Sequence, residues 1–163
     1  MKELQIVNTT QVALVDDEDY DRLSQFKWRL TGGSLTIVSR QYKKSYKTWV
    51  VPLAQEVMQN RYVMFDHIDR DFLNNSKANL RECTTAQNAM NKRKQTAKTY
   101  SMFKGVSYDK SNRKWRAMLR FNGRLLNLGS FTNQVDAGIM YNIAAYTKFG
   151  EFVHLNPLPT VLC

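Results

Sequence analysis

Runs of apolar and polar residues mark out most elements of this chain. Leu4, Ile6 and Val7, then Val12 to Val15, alternate loosely and read as a strand or hairpin. Asp16 to Asp19 supplies a helix start, because carboxylates are favourable at the positive N-terminal end of a helix. Tyr20, Leu23, Phe26 and Trp28 follow near helical spacing and predict a short helix over about 17–26. Residues 31–34 (Thr-Gly-Gly-Ser) read as a turn. Residues 35–40 and 46–51 are β-prone runs on either side of a polar tip, a predicted hairpin, and Pro52 opens a short helix over 53–58. An apolar run from Tyr62 to Phe65 then ends in Asp66-His67. A polar loop follows, then the short segment Asn79-Leu-Arg-Glu, then a helical pattern that Thr84 or Thr85 can cap and that carries Asn88.

After residue 101 the pattern changes to three short strands and one helix. Phe103 to Tyr108 comes first. Trp115 to Phe121 alternates with period two, placing Trp115, Ala117 and Leu119 on one face and Arg116, Met118 and Arg120 on the other. Asn122-Gly123 is a strong hairpin turn into Arg124 to Phe131, where Leu126 and Leu128 are assigned inward and Leu125 and Asn127 outward. Asn133 caps a helix to about Phe149 with Gly150 as its stop, and Ala137, Met140, Tyr141, Ala144 and Ala145 form its apolar stripe. The predicted class is α+β: residues 1–93 as one module with a core at about 60–93, a polar linker at 94–101, and a small three-stranded antiparallel sheet packed on one helix at 102–157.

Charge sharpens this division. The 163 residues carry a net charge of +10, but residues 1–91 contribute +1 and residues 92–163 contribute +9. A strongly basic half implies a polyanionic partner. No run approaches the roughly 20 apolar residues of a membrane span, and the first residues lack the apolar segment of a signal peptide, so no membrane is implied and a cytoplasmic location is expected. Two cysteines, Cys83 and Cys163, are too few for a disulfide framework or a zinc ribbon.

The candidate chemistry lies in the strand–loop–strand–helix stretch. Folding of that kind brings Asp66, His67 and Asn88 together from opposite ends of the stretch. One imidazole that can take a proton, beside a carboxylate and an amide oxygen suited to a hard divalent cation, is the equipment for phosphodiester cleavage. The nearby Asp69 and Asp71 read as solvated loop residues, and Asp16 to Asp19 as a helix terminus rather than a metal site. Lys92 and Arg93, which follow the helix, suit its C-terminal dipole and also a passing DNA phosphate. Lys43, Lys44 and Lys47 at the first hairpin's tip fit either phosphate contacts or a solvated end.

Two resemblances add to this reading. Asp66-His67-Ile, Leu73-Asn74-Asn75, Asn79-Leu80-Arg81 (Asn79 lies 12 residues after His67) and Gln87-Asn88 (Asn88 lies 21 after it) resemble the HNH nuclease motif in the form with Asn in third position. That form is typical of phage and intron homing endonucleases. The likeness extends through residues 1–93, although the His those proteins carry near the start of the preceding helix is missing from Val51-Pro52-Leu53. It implies a ββα-metal fold with His67 as general base, Asp66 and Asn88 holding one Mg²⁺ or Mn²⁺, and Asn79 bracing the loop. Phe103-Lys-Gly-Val-Ser, Trp115-Arg-Ala, Leu128-Gly-Ser-Phe131, Ala137 to Tyr141, Ala144-Ala145 and Phe149-Gly150 through Pro157 resemble the AP2/ERF DNA-binding domain. That implies binding of the DNA major groove by the three-stranded sheet, with Lys104, Met118, Arg120 and Asn127 at family contact positions. Ser107, Met118 and Asn127 stand where plant members have Arg, Glu and Trp, so the target sequence does not carry over. Arg113, Arg116 and Arg124 complete the expected DNA face.

Together these readings point to a metal-dependent DNA endonuclease of homing type. It would act on duplex DNA as a monomer without a protein partner, nicking one strand in the cytoplasm of a bacterial host. The residues also admit a non-catalytic DNA-binding regulator with a degenerate HNH half, or an RNA-binding protein.

Overall fold

The computed structural model describes residues 1–31, 37–94 and 100–158, so the expected turn at 31–34, most of the 94–101 linker and Cys163 lie outside the described residues. Contacts divide the chain into two compact units, Met1–Thr85 and Ala86–Cys163. Both are α+β, built from small antiparallel sheets and helices.

In the first unit β1 (Lys2–Gln5) pairs antiparallel with β2 (Val12–Val15), followed by α1 (Asp17–Ser24). β3 (Arg29–Thr31), β4 (Ile37–Lys44) and β5 (Lys47–Pro52) form a three-stranded sheet in that order, and α2 (Leu53–Val57) follows. β6 (Met64–His67) and β7 (Leu80–Cys83) form a two-stranded ribbon with a 3₁₀ turn at Lys77–Asn79 between them. One apolar cluster joins these pieces: Leu4, Ile6, Val15, Leu23, Trp28, Leu53, Val57, Phe65 and Leu80 are all buried. Trp28 is the largest of them, and its indole N–H is satisfied by the Leu23 carbonyl at 2.9 Å, so the ring is buried without an orphaned donor. The α1 carboxylates do more than favour a dipole. Asp16 makes no side-chain cap but accepts from the Lys77 backbone N–H at 2.8 Å, and buried Asp19 pairs with Arg22 and Lys77, so the helix start ties down the turn before β7.

The apolar run expected to begin at Tyr62 begins at Met64, and Tyr62 is fully exposed. Asp66 and His67 are the last two residues of that strand, and the loop follows them as expected.

In the second unit α3 (Thr85–Asn91, its first residue counted with the first unit) precedes β8 (Val106–Asp109), β9 (Lys114–Phe121) and β10 (Arg124–Phe131), which pair antiparallel in the order β10-β9-β8. Asn122 and Gly123 both take positive φ (49° and 76°) in the β9–β10 turn, the backbone that Asn-Gly adopts most readily. α4 (Gln134–Phe149) is capped by the Asn133 side chain, which accepts from the Asp136 N–H at 2.8 Å. Buried Ala137, Tyr141 and Ala145 meet Ala117 and Leu119. Met140, expected in the apolar stripe, is exposed, because the helix turns toward the sheet on its alanine side.

Met90 of α3 is buried in the same cluster as Leu119, Tyr141 and Ala145, which is why α3 groups with this unit. The contact boundary therefore falls between Thr85 and Ala86 rather than inside 94–101. No helix among the described residues is long and apolar enough to cross a membrane.

Candidate active site and nucleic-acid face

β6 and β7 are in a register that sets Asp66 opposite Arg81 and His67 opposite Leu80. Asp66 is buried, and its Oδ2 accepts from Arg81 Nε at 3.2 Å and from a terminal nitrogen of that guanidinium at 3.0 Å. A buried carboxylate needs such a partner, since desolvating it alone would cost several kcal/mol.

His67 is half-buried and turns toward the loop, where its Nε2 lies 3.1 Å from Asn75 Oδ1. Asn75 is buried, and its Nδ2 donates to the Phe72 carbonyl at 2.9 Å. That second bond fixes the amide, since a flipped amide would set two oxygens against each other. Nε2 of His67 therefore carries the hydrogen of this bond.

The loop between the two strands is held by its own side chains. Asn79 Oδ1 accepts from the Asp69 N–H at 3.0 Å, while its Nδ2 donates to Asp69 Oδ1 (2.9 Å) and to the Asn74 carbonyl (2.8 Å). Asp69 also accepts from the Asp71 N–H and from Asn74 Nδ2, both at 2.8 Å. Asp71 accepts from the Leu73 N–H at 2.9 Å. Asp69 is exposed, as expected of a loop residue, and is at the same time the hub of the loop. Burial raises its pKa, but the Asp71 amide, Asn79 and Asn74 outweigh that and hold it below the ordinary carboxylate value. The Cys83 thiol, at the end of β7, is pushed up by burial and then by the Asp66 charge, with Arg81 opposing, so it stays protonated and unreactive.

Asn88 is half-buried on α3 and belongs to the second unit. Lys92 and Arg93 follow that helix and are exposed. Lys104, expected at a DNA contact, places its ammonium at the C-terminal end of α3, donating to the carbonyls of Ala89 (3.3 Å), Met90 (2.7 Å) and Lys92 (3.0 Å). Burial, and then the Lys92 charge, push its pKa down to about 8. Its backbone is held as firmly: Lys104 N–H donates to Asn156 Oδ1 (2.6 Å), and Asn156 Nδ2 donates to the Lys104 carbonyl (3.1 Å).

The remaining expected contacts lie on the sheet face away from α4 and at its turns. Register places Arg116 between Ser107 and Ser130, Met118 beside Asn127, and Arg120 beside Leu125. Arg116 reaches Asp109 at 3.6 Å, Arg120 donates to the Gly123 carbonyl at 3.3 Å, and Asn127 accepts from the Gly129 N–H at 3.1 Å. Arg113 and Arg124 are exposed in the two turn regions. The register shifts between Asn127 and Gly129, a bulge that period-two alternation does not reveal.

Sequence reasoning missed the roles of Asn75 and Arg81. The doublet Asn74-Asn75 is a visible signal for the first, and the register of β6 on β7 is needed for the second.

Over 146 residues the chain is 29% identical to an uncharacterized HNH endonuclease of Acanthamoeba polyphaga mimivirus, an alignment covering 90% of this chain and 75% of that protein. No family model matches this chain, and no solved structure does.

Among the described residues no group of three or more His, Cys, Asp or Glu side chains could hold a metal ion. The donors singled out from sequence are of another kind, one carboxylate and one amide oxygen. Both are hard oxygen ligands, and Mg²⁺ commonly takes only one or two protein ligands, completing its octahedron with water and phosphate. Asp66, already paired with Arg81, lies in the first unit and Asn88 in the second.

Proposed function

We propose that this chain is a divalent-metal-dependent DNA endonuclease of the HNH type, with an AP2-like second unit that binds the duplex. The observation that carries this reading is the braced loop at 67–79, which holds His67 through Asn75, in a chain distantly similar to an HNH endonuclease. His67 acts as the general base, taking a proton from water while Asn75 orients its ring. Asp66 and Asn88 are the residues that would hold one Mg²⁺ or Mn²⁺, which would supply charge stabilisation for the scissile phosphate and the departing oxygen. Asn79 keeps the loop in place, and Arg81 donates to the Asp66 carboxylate and fixes its orientation. One proposed cation site per chain favours nicking of one strand by a monomer.

In the second unit α4 covers one side of a three-stranded sheet, and the other side presents Arg116, Met118, Arg120 and Asn127, with Arg113 and Arg124 at its turns. A surface of that width suits the major groove. Lys92 and Arg93 follow the proposed ligand helix and suit the adjacent phosphates.

Replacing His67 by Ala tests the catalytic half. Cleavage of supercoiled plasmid should fall by about two powers of ten or more with DNA affinity unchanged; normal cutting by the variant would refute the assignment. The guanidinium on Asp66 also favours a second reading, a DNA-binding regulator whose first unit is a scaffold. Plasmid that stays intact with Mg²⁺ or Mn²⁺, as it does in EDTA, would select that reading.

A further inference from the structure

We propose that the β4–β5 hairpin is a second DNA-binding element, a ribbon of the first unit that enters the major groove. The inference rests on the DNA-binding reading above and extends it to a surface that reading does not use.

The root of the hairpin is anchored. Val38, Ser39 and Val51 are buried, and the Arg40 guanidinium sits 4.1 Å over the Phe26 ring, 5.5 Å from the Tyr42 ring and 3.2 Å from Glu56. Beyond the Arg40–Val51 pair the two strands leave the core. Gln41, Lys43, Lys44, Ser45, Tyr46, Lys47, Thr48, Trp49 and Val50 are all exposed, Tyr46 at 87% and Trp49 at 50%. The ribbon stays paired to its end, with Tyr42 opposite Trp49, Lys43 opposite Thr48 and Lys44 opposite Lys47. Ser45 at φ 58° and Tyr46 close a two-residue turn.

A two-stranded ribbon gains little stability by itself, so exposed aromatic rings on it are a cost unless a partner covers them. The charge identifies the partner. Residues 39–52 hold four cations, Arg40, Lys43, Lys44 and Lys47, and no carboxylate. Three of the four ring the tip and suit phosphates, while Trp49 and Val50 offer apolar contact to sugar and thymine methyl groups. Two strands spaced about 4.8 Å apart fit a major groove about 12 Å wide.

The test uses the full chain in EDTA, so that binding is read without cleavage, on a mixed-sequence DNA duplex over about 50 to 200 mM salt. Lys43→Ala, Lys44→Ala and Lys47→Ala together should lower the slope of log affinity against log salt by about 2 to 3, at roughly 0.9 per lost phosphate contact. Trp49→Ala should weaken binding several-fold with the slope unchanged. Unchanged slopes in a variant whose thermal unfolding matches the parent would overturn the proposal. So would a loss confined to single-stranded RNA or DNA, or a shift in sedimentation showing that the hairpin joins two copies of this chain. A parent protein that cuts DNA while all hairpin variants bind like it refutes only this inference; a parent that neither binds nor cuts DNA refutes the reading beneath it as well.

Discussion

The loop between β6 and β7 and the neck before β8 are both fixed by asparagine side chains and one charged group, yet over very different spans of chain. In the loop, Asn79 and Asp69 are ten residues apart, and all their partners lie between them or next to them. In the neck, Asn156 pairs with both backbone groups of Lys104, 52 residues away, and in turn gives its own N–H and carbonyl to Asn142. The loop uses side chains in place of local secondary structure. The neck uses one amide as a one-residue substitute for a β-strand partner, and it exists only when the whole second unit has closed. A polar defect in the loop should therefore stay local, and a defect in the neck should spread through its unit.

The largest effect should come from Gly105→Ala. A Cβ there falls 2.0 Å from Tyr141 ring atoms, at a φ of 72° that side chains resist, next to the residue Asn156 holds. We expect a loss of about 3 kcal/mol or more, seen as cooperative melting of the second unit at much lower temperature. Next is Asn79→Ala, which removes three hydrogen bonds and leaves the Asp69 N–H unpaired, for about 2–3 kcal/mol. Amide exchange should accelerate at Asp69, Asp71 and Leu73 while the melting of the second unit is unchanged. Global unfolding by this variant would break the comparison.

Titration should give a smaller effect that again separates the two regions. The Asp69 pKa is lowered by folding, so its contribution is present above the unfolded value near 3.8 and is lost as pH falls through the lower folded value. Asp69→Asn should flatten the acid limb of stability in the first unit. In the second unit, Lys104 has its pKa lowered to about 8 from 10.5, so the unfolded chain binds the extra proton in that window and stability rises with pH across it. Tyr141, pushed up to about 12 by burial, contributes below its unfolded value near 10, and that contribution is lost as pH rises toward 12. Urea midpoints of Lys104→Met and Tyr141→Phe should lose the rise and the fall respectively. The smallest effect is Arg116→Ala with Arg120→Ala, about 1 to 2 off the salt slope of DNA binding with no change in stability.

How much of this was legible follows from the range of each interaction. The β9–β10 hairpin could be read from Asn122-Gly123, and α4 from Asn133 and its alanines, because a turn and a cap are decided by residues a few positions apart. The bracing Asn79 was visible only through motif spacing. Lys104 was placed at a DNA contact by its position in the AP2/ERF resemblance, and the three carbonyls it meets could not be read from sequence. Asp69 read as solvated, and its bracing role stayed hidden for the same reason, since its partners are amide hydrogens of a loop with no periodicity. Met140 and Tyr62 failed in the opposite sense, as apolar residues that packing left outside.

The Lys104 ammonium on the last turn of α3, with Met90 seated against Tyr141 and Ala145, determines where this chain can be cut into pieces. A fragment beginning at residue 102 would discard the carbonyls that ligate that cation and open a hole where a methionine had been. An isolated second half that is to keep its native form has to start upstream of Thr85, and any exchange of such halves between proteins would carry the helix along with the sheet.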